Sequence, residues 1–340
     1  MIYKKNFNMM NILMVSIMMF SLIMINFIES KFMLWFFMEM SSLTFIGILN
    51  YSNMNKTPSL LYFVISSICS MILLMTILLT ENYLNMMMYK KLNNLLQILI
   101  TLIMFVKLGL YPFHSWMLFI FPQISWFSIF LFSTINKMIP IYIMSTMMNF
   151  NDFLLFMIMI NSITTSILSM TMTSFKKIMA FSSMIHTSYL MIFLMLNPSS
   201  YLIYASLYLI NSLMLMTFLH KFNINSPISL MNSLNFNSFN YLYIALILSY
   251  SMLPPMFFFT SKWLFFNEMI TLKINFFLFI MTLSSIGITW SYLNMLNMKL
   301  INNKYLMKNY FKQKSLMKFY SLLMFLSILI NFTLTSLMIN

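Results

Sequence analysis

Charged residues are scarce in this sequence, and arginine is absent. Only 7% of the 340 residues are charged, the 19 basic residues are all lysine, and five residues are acidic. A soluble globular domain carries about 25% charged residues, whereas 61% of this chain is hydrophobic. The composition therefore excludes a soluble globule and indicates a protein that crosses the membrane many times.

Cysteine and glycine are also rare. The single cysteine, Cys69, excludes a disulfide within the chain and a cysteine-ligated zinc or iron–sulfur centre. Gly47, Gly109 and Gly287 are the only glycines, and they do not form the glycine-rich fingerprint of a dinucleotide site. No evident pair of haem ligands is present either. We therefore expect no cofactor and no metal in this chain.

Methionine, in contrast, is abundant, with 43 residues, while residues with GC-rich codons are few. This bias fits a very AT-rich genome in which an extra codon is read as methionine, and it indicates a mitochondrial gene. A methionine-rich metal surface is the alternative interpretation. The methionines are spread through every apolar segment, which argues against such a surface.

Eleven apolar segments are long enough to cross a bilayer. The first is too long for the apolar core of a cleaved signal peptide, so we expect it to be retained as a span. The fifth and ninth are long enough to be bent or tilted. The predicted spans are residues 9–28, 33–49, 58–80, 95–110, 124–148, 153–173, 178–196, 201–219, 241–266, 274–296 and 319–339.

The lysines outside these spans divide unequally between the two sides of the membrane. Lysines of short loops concentrate on the side that is not translocated, so we predict the N-terminus on the matrix side and the C-terminus in the intermembrane space. The basic segment 299–318 is then an orienting loop; without arginine or interleaved aromatic residues, it does not indicate a nucleic-acid partner. The matrix side has Lys4, Lys5, Lys56, Lys176, Lys177, Lys221, Lys299, Lys304, Lys308, Lys312, Lys314 and Lys318, and the other side has Lys31, Lys90, Lys91, Lys273, Glu29, Glu81, Asp152 and Glu268.

Four ionisable residues fall within or at the edge of predicted spans: Glu39, Lys107, Lys137 and Lys262. A charged side chain at membrane depth is tolerated only where it faces protein or a wet cavity, and such residues mark ion or proton paths. For Lys107 the alternative is a side chain that reaches the membrane surface beside an ordinary helix end.

Lys107 and Lys262 each lie beside a proline break. Pro112 follows Lys107, and Pro254 with Pro255 precedes Lys262. The two breaks are five spans apart, and because five is odd, a second copy of the first five spans would cross the membrane in the opposite direction, as in inverted-repeat transporters. We predict inverted five-helix repeats with discontinuous helices in residues 1–150 and 151–298, and a loop with a last span in residues 299–340.

The seventh predicted span has a polar face formed by Ser182, Ser183, His186 and Thr187. Histidine exchanges a proton near neutral pH, so His186 is a candidate proton relay. The alternative is a histidine that joins two helices by hydrogen bonds.

Four segments resemble the antiporter-like subunit family of respiratory complex I, NADH–ubiquinone oxidoreductase. They are KLGLYPFHSW (107–116), INKMIP (135–140), SFKKIMAFSSMIH (174–186) and LPPMFFFTSKW (253–263). Each also resembles the related cation/proton antiporters, but the length and the eleven spans are similar to the subunit 2 branch of bilaterian animals, which lacks three of fourteen ancestral helices. The chain departs from the family pattern in lacking a glycine before Leu253 and in having Leu110 and Tyr111 where small residues are common.

The resemblance implies a role for each buried ionisable residue. Glu39 and Lys107 would form the acid–lysine pair of a first half-channel, Lys137 would be the connecting residue, and Lys262 would be the exit lysine in the broken ninth helix. His186 and nearby hydroxyls would carry the hydrated path between the halves. Flavin, iron–sulfur clusters and quinone are expected in partner subunits of the mitochondrial inner membrane, where the other partners are membrane-arm and accessory subunits and lipids such as cardiolipin.

Two other functions remain open on the sequence alone. A stand-alone cation/proton antiporter would share the lysines and the helix breaks, but it would not be expected to show the codon bias of an organelle. A purely structural membrane subunit would carry the same lysines and tolerate their neutral substitution, so only mutation separates it from a proton-translocating subunit.

Overall fold

The computed structural model describes residues 9–52, 55–83, 90–147, 152–221, 237–253, 256, 258–271 and 275–302. All regular structure in these ranges is helical, which confirms the predicted all-α class. Lys4, Lys5, Pro254, Pro255, Lys273, the lysines from Lys304 to Lys318 and the predicted span 319–339 lie outside the described residues. The helices are α1 (Met9–Ile25), α2 (Lys31–Ser52), α3 (Thr57–Tyr83), α4 (Lys90–Leu108), α5 (Ser115–Ile120), a 3-10 helix (Phe121–Gln123), α6 (Trp126–Ser133), α7 (Ile135–Met147), α8 (Asp152–Thr171), α9 (Phe175–Leu196), α10 (Pro198–Lys221), α11 (Asn237–Tyr250), α12 (Phe259–Thr271) and α13 (Asn275–Asn302).

The first ten predicted spans coincide with these helices to within a few residues at most boundaries. Seven segments of the described part are long and apolar enough to cross a membrane, with Trp126–Met147 counted as one segment. The helices over Met9–Ile25 and Leu95–Leu108 are apolar but shorter. The total of eleven spans and their inverted arrangement stay predictions.

The fifth and ninth predicted spans are each built from two helices. The fifth is interrupted at Thr134, whose backbone angles of φ −110° and ψ −86° are not helical. The ninth is interrupted after Tyr250, and α12 begins at Phe259. The segment between α4 and α5 and the interruption of the ninth span give the discontinuous helices that the sequence predicts. The interruption at Thr134 was not predicted, because the fifth span was expected only to be bent or tilted.

The chain divides into two compact units, Met1–Asn161 and Ser162–Asn340, with the boundary inside α8. In the first unit α2 packs against α1, α3, α6 and α7, and α4 packs against α3 and α7. An aromatic cluster fills the space between these helices, with Phe132 in contact with Phe45, Tyr62, Trp116 and Phe121.

In the second unit α9 packs against α10, α12 and α13, while α10 also contacts α11 and α12. The protein buries 89% of the apolar window of α9, compared with 33% for α3. Helix α9 is therefore an interior element, whereas α3 directs most of its apolar side chains outward, as a helix next to lipid or a partner subunit does.

Serine and threonine hydroxyls inside the helices mostly donate to the carbonyl three residues earlier. Examples are Ser41 to Met38 at 2.7 Å, Thr76 to Leu73 at 2.7 Å and Ser284 to Met281 at 2.8 Å. Water is absent from the bilayer core, so a polar hydrogen needs such a partner within the protein.

Candidate functional site

Helix α4 ends in a cap built from its own backbone, directly after Lys107. Gly109 adopts a left-handed conformation with φ +66°. Its N–H donates to the carbonyl of Val106 at 3.1 Å, and the N–H of Leu110 donates to the carbonyl of Phe105 at 2.9 Å. This pair of bonds is a Schellman motif, which glycine favours because it has no Cβ. The cap fixes Lys107 in the last turn of the helix, where the dipole favours a positive charge.

The ammonium group of Lys107 pairs with the carboxylate of Glu39 on α2. The distance from Nζ to Oε1 is 3.0 Å, and the exposed fraction is 4% for the lysine side chain and 20% for the glutamate side chain. Ser42 donates to the backbone carbonyl of Glu39 at 2.9 Å, so its hydroxyl bond serves the helix. The structure thus brings together the two residues that were predicted to pair.

The segment after Gly109 is held by two long-range hydrogen bonds. The backbone N–H of Tyr111 donates to Oδ1 of Asn161 at 2.9 Å, and the indole N–H of Trp116 donates to the carbonyl of Val106 at 3.1 Å. Asn161 is fully buried on α8. After the helix ends, the polar backbone groups of this segment therefore bond to side chains of the protein, whereas in a continuous helix they would bond to each other.

Lys137 lies in the first turn of α7, just after the interruption at Thr134, and only 2% of it is exposed. The carbonyl of Thr134 accepts from the N–H groups of Lys137 and Met138 at 3.1 and 3.2 Å. Pro140 has no N–H, so the carbonyl of Asn136 lacks its usual helical partner. A buried lysine thus lies beside a helix interruption here, as Lys107 does at the end of α4.

A second side-chain contact connects α7 to α3. The amide Nδ2 of Asn136 donates to the hydroxyl of Tyr62 at 2.7 Å, and both residues are buried.

Lys262 lies in the first turn of α12 and is half-buried. Ahead of this helix, Met252 has a positive φ of 58° and is 4% exposed. This is the position before Leu253 where the resemblance led us to expect a glycine, and the methionine adopts the conformation that glycine allows without strain. Lys262 therefore follows a break that has a left-handed residue, while Lys107 precedes one.

His186 is buried on α9 among aromatic rings of the same unit. Its Nδ1 lies 3.0 Å from the hydroxyl of Tyr204 on α10, and its ring contacts Tyr208, Tyr250 and Phe258. The contact with Tyr204 joins two helices, as the structural alternative for His186 expects. Proton relay by His186 stays a prediction.

Neighbouring hydroxyls of the polar face have helical partners. Ser182, Ser183 and Thr187 donate to carbonyls three residues earlier at 2.7 to 2.9 Å. The hydroxyl of Tyr292 on α13 also donates to Ser182 at 2.8 Å. The polar face is thus extended by tyrosines from other helices.

Several residues at these sites were not predicted from the sequence: Tyr62, Asn136, Asn161, Tyr204, Tyr208, Tyr250 and Tyr292. Asn136 and Asn161 are polar side chains within apolar segments, which is the signal that singled out the lysines. Their partners are 74 and 50 residues away.

In the described part of the chain, no group of three or more His, Cys, Asp or Glu residues has the arrangement of a metal site.

Comparison with known proteins gives a consistent picture. Residues 29–289 match the family described as NADH:quinone oxidoreductase/Mrp antiporter, TM. The protein named NADH-ubiquinone oxidoreductase chain 2 from Apis mellifera ligustica is 30% identical over 272 residues, which are 77% of each chain.

Solved structures share the fold. A chain of respiratory complex I from Thermus thermophilus, solved with bound aureothin, superimposes with a TM-score of 0.77 and 15% identity, covering 97% of this chain and 81% of that chain. A chain of the membrane-bound sulfane sulfur reductase, an archaeal respiratory membrane complex, gives a TM-score of 0.73 and 16% identity, covering 90% and 69%.

Proposed function

Because this chain belongs to the NADH:quinone oxidoreductase/Mrp antiporter membrane family, we propose that it is a proton-translocating subunit of the membrane arm of respiratory complex I. The relative named NADH-ubiquinone oxidoreductase chain 2 supports the subunit 2 branch. The chain is then one subunit of the H⁺-translocating NADH:ubiquinone reductase. Flavin, iron–sulfur clusters and quinone reduction belong to partner subunits.

The observation that carries this proposal is the ion pair between the buried Lys107 and the partly buried Glu39 at the capped end of α4. Transferring two charges out of water costs several kcal/mol each, and a buried pair is weak support for stability. An ion pair in this place is better explained by a function that uses its charge, and ionisable residues at membrane depth mark proton paths.

In the proposed mechanism, a proton that reaches Glu39 neutralises the carboxylate. The Lys107 ammonium then loses its counter-charge in a region of low dielectric, so transfer of its proton towards Lys137 becomes favourable. Lys262 passes the proton out of the second half, and His186 with the surrounding hydroxyls carries the path between the halves. Each residue thereby changes the proton affinity of the next one.

The two halves of this path correspond to the two proposed inverted repeats, residues 1–150 and 151–298. Their support is the interruption of a helix near Lys107 and again before Lys262, five predicted spans later. Inverted repeats place such discontinuous helices near the middle of the membrane.

We place the protein in the mitochondrial inner membrane with its N-terminus on the matrix side and its C-terminus in the intermembrane space. The codon bias and the distribution of loop lysines support this placement. Its partners are the other membrane-arm and accessory subunits, together with lipids such as cardiolipin.

Migration on a native gel tests the assignment to complex I. Gently solubilised mitochondrial membranes are separated, stained for NADH dehydrogenase activity and examined by mass spectrometry. We expect this polypeptide in the stained band. If it migrates alone at low mass while the dehydrogenase stays whole, the assignment is wrong and a stand-alone antiporter becomes the function to assay.

The substitution Lys107→Met tests proton translocation. We expect NADH-driven proton uptake by vesicles containing the assembled complex to fall about a hundredfold, as for the loss of one proton-transfer group. Lys56→Met is the matched control, because Lys56 is exposed ahead of α3. Near-normal uptake in an intact Lys107→Met complex would favour a purely structural subunit.

A further inference from the structure

Tyr62 occupies a fixed position in the core of the first unit. It is 2% exposed, and its ring makes edge contacts with Phe45 and Phe132, at centroid distances of 5.2 and 5.7 Å. The ring centroid of Trp116 lies 6.0 Å from that of Tyr62. Close packing on several sides allows the ring little movement without rearrangement of its neighbours.

Two neighbours of this ring belong to, or bond to, the helices that carry Glu39 and Lys107. Phe45 lies on α2, the helix that carries Glu39, and Trp116 donates to the carbonyl of Val106, the residue before Lys107. The phenol is therefore packed against the elements that hold both members of the ion pair.

The hydroxyl of Tyr62 is hydrogen-bonded to the residue next to Lys137. It accepts a hydrogen bond of 2.7 Å from Asn136, the residue directly before Lys137 in the first turn of α7. That turn starts after the interruption at Thr134 and has lost one helical hydrogen bond to Pro140. The first turn of α7 therefore has fewer backbone hydrogen bonds than usual, and the side-chain bond between Asn136 and Tyr62 restrains it instead.

We propose that Tyr62 is a positioning residue for proton transfer between the Glu39–Lys107 pair and Lys137, and that it acts through Asn136. The proposal rests on the function proposed above. Phenylalanine would fill the same space without a polar group, and a buried hydroxyl is costly unless it is bonded. In this role the hydroxyl holds the start of α7, and with it Lys137, at a constant distance from the pair.

Matched variants of the assembled complex in sealed vesicles test this role. Tyr62→Phe and Asn136→Leu each remove the hydrogen bond while keeping similar volume. The double variant carries both changes. Tyr189→Phe is the control, because Tyr189 is an equally buried tyrosine whose hydroxyl donates to the carbonyl of Met281 at 3.0 Å, in the second unit.

The quantities measured are proton uptake and the number of protons taken up per NADH, both for equal amounts of complex. We expect each single variant to lower uptake by about 10- to 100-fold, the range for a displaced catalytic group. The double variant should be no worse than either single variant, since all three lose the same bond. Tyr189→Phe should keep the wild-type ratio, which loss of stability alone does not change.

Three results would overturn the positioning role. The first is normal proton uptake in Tyr62→Phe, and the second is a double variant in which the two single effects multiply. The third is failure of both single variants to assemble while Tyr189→Phe assembles, which would show that the bond is needed for folding. Lys107→Met measured in parallel separates the two proposals. A normal Lys107→Met complex overturns the proposed function itself, whereas a normal Tyr62→Phe complex beside an inactive Lys107→Met complex overturns only the role of Tyr62.

Discussion

The backbone N–H of Tyr111 donates to the side-chain oxygen of Asn161, which lies 50 residues further along the chain, at a distance of 2.9 Å. This N–H belongs to the segment between α4 and α5, where the chain is not helical and the usual acceptor, the carbonyl four residues earlier in a helix, is not used. The side chain of Asn161 thus supplies the acceptor that a further turn of helix would have supplied. The structure around Lys107 therefore depends on a residue of α8.

We predict that Asn161→Leu destabilises the protein, because it removes the acceptor from the partly buried N–H of Tyr111 while keeping the volume of the side chain. The free energy of unfolding should fall by about 1 to 3 kcal/mol. The thermal midpoint of the purified protein measures the change. Asn294→Leu, at a half-buried position of α13, is the control and should shift the midpoint less. Equal shifts in the two variants would contradict this role for Asn161.

A stability cycle on the ion pair distinguishes an isolated charge from a missing contact. Glu39→Gln leaves the Lys107 ammonium buried without its carboxylate, which is costly, whereas the double variant Glu39→Gln with Lys107→Met removes the charge as well. We expect the double variant to have a higher thermal midpoint than Glu39→Gln alone. A lower midpoint would mean that the two side chains stabilise the fold mainly through packing.

Substitutions of Met252 measure the strain at the break before α12. A left-handed conformation costs a residue other than glycine about 1 to 2 kcal/mol, whereas loss of a buried methionine side chain costs about 2 to 5 kcal/mol. Met252→Gly should therefore be less stable than the wild type. Met252→Ala loses the side chain and keeps the strain, so it should be the least stable of the three in thermal unfolding. An alanine variant as stable as the glycine variant would show that the backbone there is not strained.

Much of the helical framework could be predicted from the sequence, because membrane helices need about twenty apolar residues in a row. The runs around α2, α3 and α8, for example, differ from the observed helices by at most three residues at either end. The fifth run was harder. Polar residues flank Thr134, but Asn136 and Lys137 lie within α7, and the proline of this run, Pro140, lies six residues after Thr134. None of them marks the position of the interruption.

The candidate site could be predicted only in part. The pairing of Glu39 with Lys107 was expected from the resemblance of the motifs to a known family. Tyr62 and Asn136 could not be connected in the same way. Both are ordinary residues of apolar segments, and their contact depends on how α3 and α7 pack, which the periodicity of neither helix determines.

The hydroxyl bonds to carbonyls three residues earlier also bear on how the protein is made. A serine or threonine that is satisfied inside its own helix imposes little polar cost when that helix enters the bilayer alone. Helices such as α3, with Ser59, Ser66, Ser70 and Thr76 bonded in this way, can therefore be inserted one at a time during synthesis. The bonds between helices, including those of Tyr62 and Asn161, form afterwards, so the proposed proton path is assembled only when the inserted helices associate.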